Sequence, residues 1–224
     1  NAGTGGGPGE EPPNEEESPN EEEPPNEEEP PGEDDTPPPT NPDPGPVDCN
    51  VLPPASPLEG WAGVAGNGVA TTTGGGNATP IVVTTLAQLQ TAVAGTAPAV
   101  IHVRGRLTPG DINVGSNKTI VGTCGAEIRG HVEIREAVNV IVRNVTIVGY
   151  GEGDCSLDPG FDSSVGCSSG DDAVIIQRNS HHVWFDHVAV RDGSDGNLDI
   201  TNGANFVTIS WTKFSYTPRT DNVG

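Results

Sequence analysis

Asp195 and Asp199 stand four residues apart in "SDGNLDITNGANFVTISWTKF" (194–214), a stretch whose β-branched residues otherwise read as strand. Even spacing along a strand puts both carboxylates on one face. Carboxylates repeated on one face form a solvated surface, a metal site or an acid/base pair. Which of these applies depends on what the rest of the chain brings beside them.

The chain of 224 residues is not uniform. Residues 1–48 hold 14 of the 22 prolines, 16 of the 32 acidic residues and no basic residue, so they carry a charge of −16 out of the total of −22. This part repeats "PNEEES PNEEEP PNEEEP PGEDDT" and has no aromatic residue or aliphatic run with which to bury a core. It is expected to be a disordered stalk stiffened by proline and charge. The acidity therefore says little about a substrate, although without a basic stripe nucleic acid is not expected as a partner. No apolar run reaches membrane-spanning length. The chain begins at Asn1 rather than Met, which is expected of a processed or partial sequence. Four cysteines without a reactive motif fit an oxidising compartment and allow three pairings. Cys155 and Cys167 bracket a Gly/Ser/Asp-rich loop and are the expected first pair, which leaves Cys49 with Cys124. A bridge over a loop of that size contributes about 3 kcal/mol in the chain-entropy model.

From residue 49 onward the length suits one domain. "TTLAQLQTAVAG" is its one convincing helix: Leu86, Leu89 and Val93 share a face, Thr85 and Gln88 suggest a capping box, and Gly95 stops it. Thereafter come short β-branched runs, "AVIHVRG", "KTIVG", "NVIVRNVTIV", "DAVIIQ", "HVWFDHVAVR", "LDIT" and "FVTISWTKFS", separated by Gly, Asn and Asp. Three of them superimpose. Val140, Val142 and Ile147 match Val183, Phe185 and Val190, and then Val207, Ile209 and Phe214. Val183 to Val207 and Val174 to Leu198 are both 24 residues, while Val140 to Val183 is longer because a loop at 150–170 intervenes. A period in the twenties built from strands is a solenoid signature, and the Leu/Asn pattern of leucine-rich repeats is missing. The fold predicted is all-β, a right-handed parallel β-helix, with residues 85–94 as an N-terminal capping helix over the open end.

"GDDAVIIQ", "HVWFDHVAV", "DGNLDITNGANFVTISWTKF" and the earlier "WAGVAGNGVATTTGGG" together resemble the pectate lyases of polysaccharide lyase family one, over roughly Leu58 to Gly224. The resemblance implies a β-helix, a Ca²⁺ cofactor and β-elimination of polygalacturonate. It also implies a secreted protein, tethered at the cell surface if the stalk anchors it, and a monomer when complete. By position in the motifs, Asp172, Asp195 and Asp199 match the family's calcium-binding carboxylates. Four extended residues span about 13 Å, whereas ligands lie about 2.3–2.6 Å from Ca²⁺. Asp195 and Asp199 share an ion only if the chain bends at Gly196, where "DG" signals a turn. Asp172 begins the preceding coil, and stacking at about 4.8 Å brings it alongside. Such convergence raises carboxyl pKa values unless a cation is present. The direction of the neighbouring Asp171 stays open.

Arg219, in "YTPRTDNVG", falls where the family has a substrate-binding lysine, and a guanidinium can hold a uronate carboxylate bidentately. His187 lies at a strand corner, equivalent to Asn144 and Trp211, and reads as a structural hydrogen-bonding residue. His181, His131 and His102 lack metal-ligand spacing with one another. "GNGVATTTGGG" lacks the Lys-Ser/Thr of a phosphate loop and reads as a wrapping segment. The family's proton-abstracting arginine is expected in a later coil, beyond Gly224, so no catalytic base is assigned and the chain as given is expected to be inactive. Two alternatives stay open. One is a polygalacturonase-type hydrolase, for which "GDD" speaks but "GHG" and "RIK" are missing. The other is a non-catalytic pectin-binding or adhesion β-helix. Removing residues 1–48 is expected to leave pectate cleavage by the complete enzyme unchanged in a reducing-end assay; a large loss would refute a mere spacer.

Overall fold

Parallel strands that close into coils need two things from a sequence: inward residues that stack on the next coil, and corners that let the chain turn every few residues. Both are visible in the computed structural model. It describes residues 51–152, 155–164 and 170–217, without the side chains of Cys124 and Leu157. The chain divides into Asn1–Asp43 and Pro44–Gly224, and the described residues all lie in the second unit. The expected stalk lies outside the described residues.

After a short wrapping segment come β1 (Ile81–Val83), α1 (Leu86–Val93), β2 (Ala99–Arg106), β3 (Ile112–Val114), β4 (Lys118–Arg129), β5 (Val132–Arg135), β6 (Val138–Arg143) and β7 (Thr146–Val148). Beyond the inserted loop follow β8 (Val174–Gln177), β9 (His181–Asp186), β10 (Ala189–Arg191), β11 (Leu198–Ile200), β12 (Asn205–Ser210) and β13 (Lys213–Ser215). All named strand pairs are parallel. One wall of the solenoid is β3-β5-β8-β11. The other two walls are joined because β4 bends: its first half pairs with β6 and its second with β7. β1, β3, β5 and the second half of β4 were not among the expected runs. Each of these is short or broken by Gly or charge, and it is pairing that makes it a strand.

The predicted superposition is the observed register. Val140 pairs with Val183 and Val142 with Phe185, Ile147 with Val190, and the next coil adds Val207, Ile209 and Phe214 at the same places. Inward columns such as Ile112–Val132–Val174–Leu198 and Ile101–Ile120–Val142–Phe185 fill the core. The corners carry non-glycine residues with positive φ, a conformation in which Asn is the best tolerated L residue. Asn144, His187 and Trp211 stack at one corner with φ of 51, 53 and 48°. Asn117, Asn139, His182 and Phe206 stack at another with φ of 58, 65, 55 and 48°. Buried Asn139 accepts from the N–H groups of Thr73 and Gly74, both at 2.7 Å, and so ties the wrapping segment to the coils.

Helix α1 covers the core at the β1–β3 end, with Leu89 and Val93 fully buried. Thr85 caps it by accepting from Gln88 N–H at 3.3 Å. The return bond of the expected box is displaced by one residue: Gln88 Oε1 accepts from Thr84 N–H at 2.9 Å. The core column beside it holds an ion, Lys118, fully buried. Its ammonium donates to the carbonyls of Gly95, Ala97 and Ser116 at 2.7–2.9 Å. Burial lowers its pKa, and with three acceptors for three donors the residue is a strut rather than a site. No described helix is long and apolar enough to cross a membrane.

Phe185 has no exposed surface, whereas Phe214, which extends the Ile147–Val190 column into the last described coil, is 46% exposed. Phe185→Ala is expected to cost about 3–5 kcal/mol in denaturant unfolding, and Phe214→Ala only about 1 kcal/mol. Equal losses would mean that Phe214 is as well covered as Phe185.

Candidate active site

The acidic residues meet on the outer face of the β3-β5-β8-β11 wall. In β11 the side chains alternate, so Leu198 faces the core and Asp199 faces out, stacked above Ile175, Glu133 and Asn113. Asp172 ends the inserted loop just before β8. Coil-to-coil hydrogen bonds set its height: Ala173 N–H donates to Gly196 O at 2.9 Å, and Val174 N–H to Asn197 O at 3.1 Å. Asp172 therefore lies level with Asp195 and Gly196.

Asp195 is not in the strand. β11 begins at Leu198, and residues 193–197 make the bend that the geometry demanded. Two glycines permit it. A Cβ on Gly193 would stand 1.7 Å from Gly196 O, and a Cβ on Gly196 would stand 2.4 Å from Asp172 Oδ1 and 4.0 Å from Asp199 Oδ1. The second position is informative, because the space a methyl group would fill is flanked by oxygens of two carboxylates. Asp195 and Asp199 are exposed and Asp172 is half-buried. Burial, reinforced by Asp199 and then Asp195, pushes the Asp172 carboxyl up to about 6.

An all-oxygen, anionic cradle of this kind suits a hard cation. The three carboxylates are neighbours without being a closed shell: among the described residues no three His, Cys, Asp or Glu side chains stand close enough to hold an ion.

Asp171 turns the other way. Its carboxyl lies near the 158–160 turn, on the side of Asp158, Asp111, Glu133 and His131, and burial is the main cause of its raised pKa. The buried Asp158 was not anticipated. Its oxygens accept from Gly160 N–H at 2.7 Å and Asp171 N–H at 2.8 Å, so it fixes the loop that delivers Asp171 and Asp172. "DPG" at 158–160 is a signal that could have found it, since Asp at the start of such a turn bonds its own backbone two residues on. Buried Tyr150 donates to Asp111 Oδ1 at 2.9 Å, and burial together with Asp111 raises its pKa. His131 joins the site through Nδ1, 2.6 Å from Asp172 O.

The remaining sequence candidates fall elsewhere. His187 lies between β9 and β10, with Nδ1 2.9 Å from Asp186 Oδ1 and its ring stacked on Trp211. Trp184 donates to Ser210 Oγ at 2.8 Å, which in turn donates to the buried Asp186 at 2.9 Å. The "VWFDH" motif is thus a hydrogen-bonded brace between two coils, on a different wall from the carboxylates. Arg219 lies outside the described residues, as do Cys49 and Cys167 and the side chain of Cys124. Cys155 is buried and is not a free thiol.

A raised carboxyl pKa penalises the ionised form in the fold. The penalty is absent below the ordinary value of 3.8, grows as pH rises and is complete above about 6. In chelator, Asp172→Asn is therefore expected to melt several degrees above wild type at about pH 7, with the difference vanishing below about pH 4, by scanning calorimetry. An advantage independent of pH would contradict the like-charge origin of the shift.

Residues 50–224 match the family model described as pectate lyase. The "Pectate trisaccharide-lyase" of Thermotoga maritima is 38% identical over 105 residues, covering 46% of this chain and 26% of that protein. Among solved structures, the thermostable pectate lyase PL 47 aligns over 75% of this chain and 59% of its own at 22% identity and a TM-score of 0.54. A pectate lyase from Bacillus sp. N165 in complex with trigalacturonate aligns over 72% and 56% at 23% identity and a TM-score of 0.50. These two likenesses show the shared β-helix fold. The chain spans about a quarter of the length of the Thermotoga relative and somewhat over half of the two solved chains. With stacked parallel coils, an acidic cradle on one wall and a family match over residues 50–224, the chain belongs to the pectate lyase family.

Proposed function

We propose that the protein carrying this chain is a calcium-dependent pectate lyase that cleaves polygalacturonate by β-elimination. The observation that carries the reading is the pair of carboxylates, Asp172 and Asp199, flanking the space over Gly196 on an outer wall of the solenoid. The trigalacturonate held by the Bacillus sp. N165 relative supports a polyuronate as the substrate.

Asp172, Asp195 and Asp199 are the residues that would hold the ion. When bound there, Ca²⁺ supplies positive charge beside the uronate carboxylate and stabilises the enediolate-like charge that develops as the α proton leaves. The chain's own contribution is placement. Asp172 is raised on the loop pinned by Asp158, and Asp195 and Asp199 are held on either side of the Gly196 bend. Both of the latter face solvent, which leaves that side open to a polymer. Arg219 is assigned to the uronate carboxylate, as a bidentate donor. Arg191 is not assigned as the base, because its guanidinium is held by Glu152 at 2.7 Å and Asp192 at 2.5 Å.

The same reading takes the protein to be secreted and monomeric, with Cys155–Cys167 and Cys49–Cys124 as its disulfides and residues 1–48 as a spacer. In the full-length protein, degradation of polygalacturonate is expected to require Ca²⁺ and to stop in excess chelator. Its products are expected to carry the ultraviolet absorption of an unsaturated uronate. Asp199→Ala is expected to weaken the apparent calcium affinity by at least about tenfold, and Asp43→Ala not at all. Reducing ends accumulating without that absorption would indicate hydrolysis instead.

A further inference from the structure

The wall formed by β2, the first half of β4, β6, β9 and β12 carries a second group of charges, apart from the acidic cradle. Side chains alternate along its strands, so His102 and Arg104 of β2 and Arg143 of β6 face outward while Ile101, Val103 and Val142 fill the core. Register places His102, Val121, Arg143 and Asp186 in one outward column, with Arg104 two residues further along β2. Neighbouring coils lie about 4.8 Å apart, a spacing that long arginine side chains span. Both guanidiniums act on the His102 ring: after burial, Arg104 and then Arg143 lower its pKa.

These cations are not neutralised as their neighbours are. Toward the next wall, Arg106, Arg129 and Arg191 are paired with Glu127, Glu152 and Asp192. Among the described residues, Arg104 Nε, Arg143 Nη1 and His102 Nε2 are buried without a hydrogen-bond partner. A buried donor without an acceptor is costly, and more so when it is charged. Three such nitrogens on one face call for a common acceptor. The carboxylate of the same column, Asp186, does not supply it, because its Oδ1 accepts from Ser210 Oγ and lies 2.9 Å from His187 Nδ1. Arg143 also lines a cavity of about 170 Å³ together with Ala55, Ser56, Thr119, Ile141 and Trp184. That volume is below the roughly 300 Å³ of pockets that take drug-sized ligands, so the occupant is small. Charge sets its sign. Arg104 and Arg143 are positive, Asp186 is negative, and His102 is kept neutral near pH 7, which leaves a single positive charge to be met.

We propose that Arg143, with Arg104 and His102 beside it, forms a binding site for a small organic monocarboxylate, whose carbon skeleton occupies the cavity under Ala55 and Ser56. The guanidinium fork matches a carboxylate bidentately, and His102 Nε2 donates to it as the neutral imidazole. Ile141 and Trp184 offer the skeleton apolar surface, and Ser56 and Thr119 bring hydroxyls. The site needs no metal, and it does not depend on the pectate-lyase reading.

Titration calorimetry of the full-length protein with sodium galacturonate, in calcium-free Tris chloride, tests this. Galactose, which has a hydroxymethyl group in place of the carboxylate, is the neutral control. Saturable binding of galacturonate is expected, and none of galactose. Arg143→Gln is expected to weaken binding about tenfold, and Arg104→Gln about threefold. Arg143→Lys, which keeps the charge but not the fork, is expected to recover only part of the loss. Asp199→Ala, in the acidic cradle, and Arg106→Gln, in the neutralised network, are expected to leave affinity within about twofold of wild type. Unchanged affinity in Arg143→Gln, or equal binding of galactose, would overturn the proposal and leave the lyase reading intact. If Arg143→Gln fails to fold, unchanged affinity in Arg104→Gln overturns it equally. Inorganic phosphate binding more tightly than galacturonate would overturn the monocarboxylate as the ligand class, and a wild-type protein that binds neither galacturonate nor acetate would overturn the site altogether.

Discussion

In a parallel solenoid no strand can satisfy its backbone within its own coil; every N–H and C=O must meet the coil above or below. Everything else in this protein follows from keeping that register. Leu198 pairs with Val174 and Val174 with Val132, so a residue facing out on one coil has its neighbours on that face assigned by count alone. Asp199 is outward because its neighbours Leu198 and Ile200 stack on the buried Val174 and Ile176, and its height along the wall is set by the pairing of β11 with β8.

The corners are the second half of the same constraint. A chain that turns sharply between short strands needs residues at positive φ, and asparagine meets that need at Asn117, Asn139 and Asn144. Where a coil has His182, His187, Phe206 or Trp211 instead, ring stacking supports the strained position: His182 lies 4.7 Å from Phe206, and His187 6.0 Å from Trp211. The wrapping segment then closes over one such corner, with His182 Nε2 3.0 Å from Val64 O and Trp61 edge-on to Phe206. The histidines at these corners serve as architecture, as the strand-corner position of His187 led one to expect.

The acidic cradle is a departure from that regularity. The insertion between β7 and β8 and the bend at 193–197 are the places where the chain leaves the repeat, and they deliver Asp172 and Asp195 respectively. Regular strands stabilise the scaffold, while irregular links bring like charges together at an electrostatic cost. Keeping the two apart lets a destabilising site sit on a well-packed wall. A tether of hydrogen bonds from Asp192 and Asn197 to residues 215–217 extends the arrangement, because it fixes an irregular segment by bonds made from within a turn.

From the sequence alone it was possible to read the 24-residue repeat, the inward columns, the covering helix and the need for a bend at Gly196. The first three follow from local pattern, side-chain period and β-branching, whereas the bend was required only because the family resemblance makes Asp195 and Asp199 ligands of one ion, with "DG" as its turn signal. The motifs also pointed to Asp172, Asp195 and Asp199 as a group. Weakly patterned strands such as β3 and β5 escaped notice, because pairing with neighbours and not their own propensity makes them strands. The direction of Asp171 depended on the buried Asp158 thirteen residues earlier. The raised carboxyl of Asp172 depended on residues of the next coil, and the hydrogen bonding of the buried Asp192 on a segment 25 residues later. These are through-space facts. A sequence records which residues are polar, but burial and the distance between carboxylates exist only once the coils are stacked.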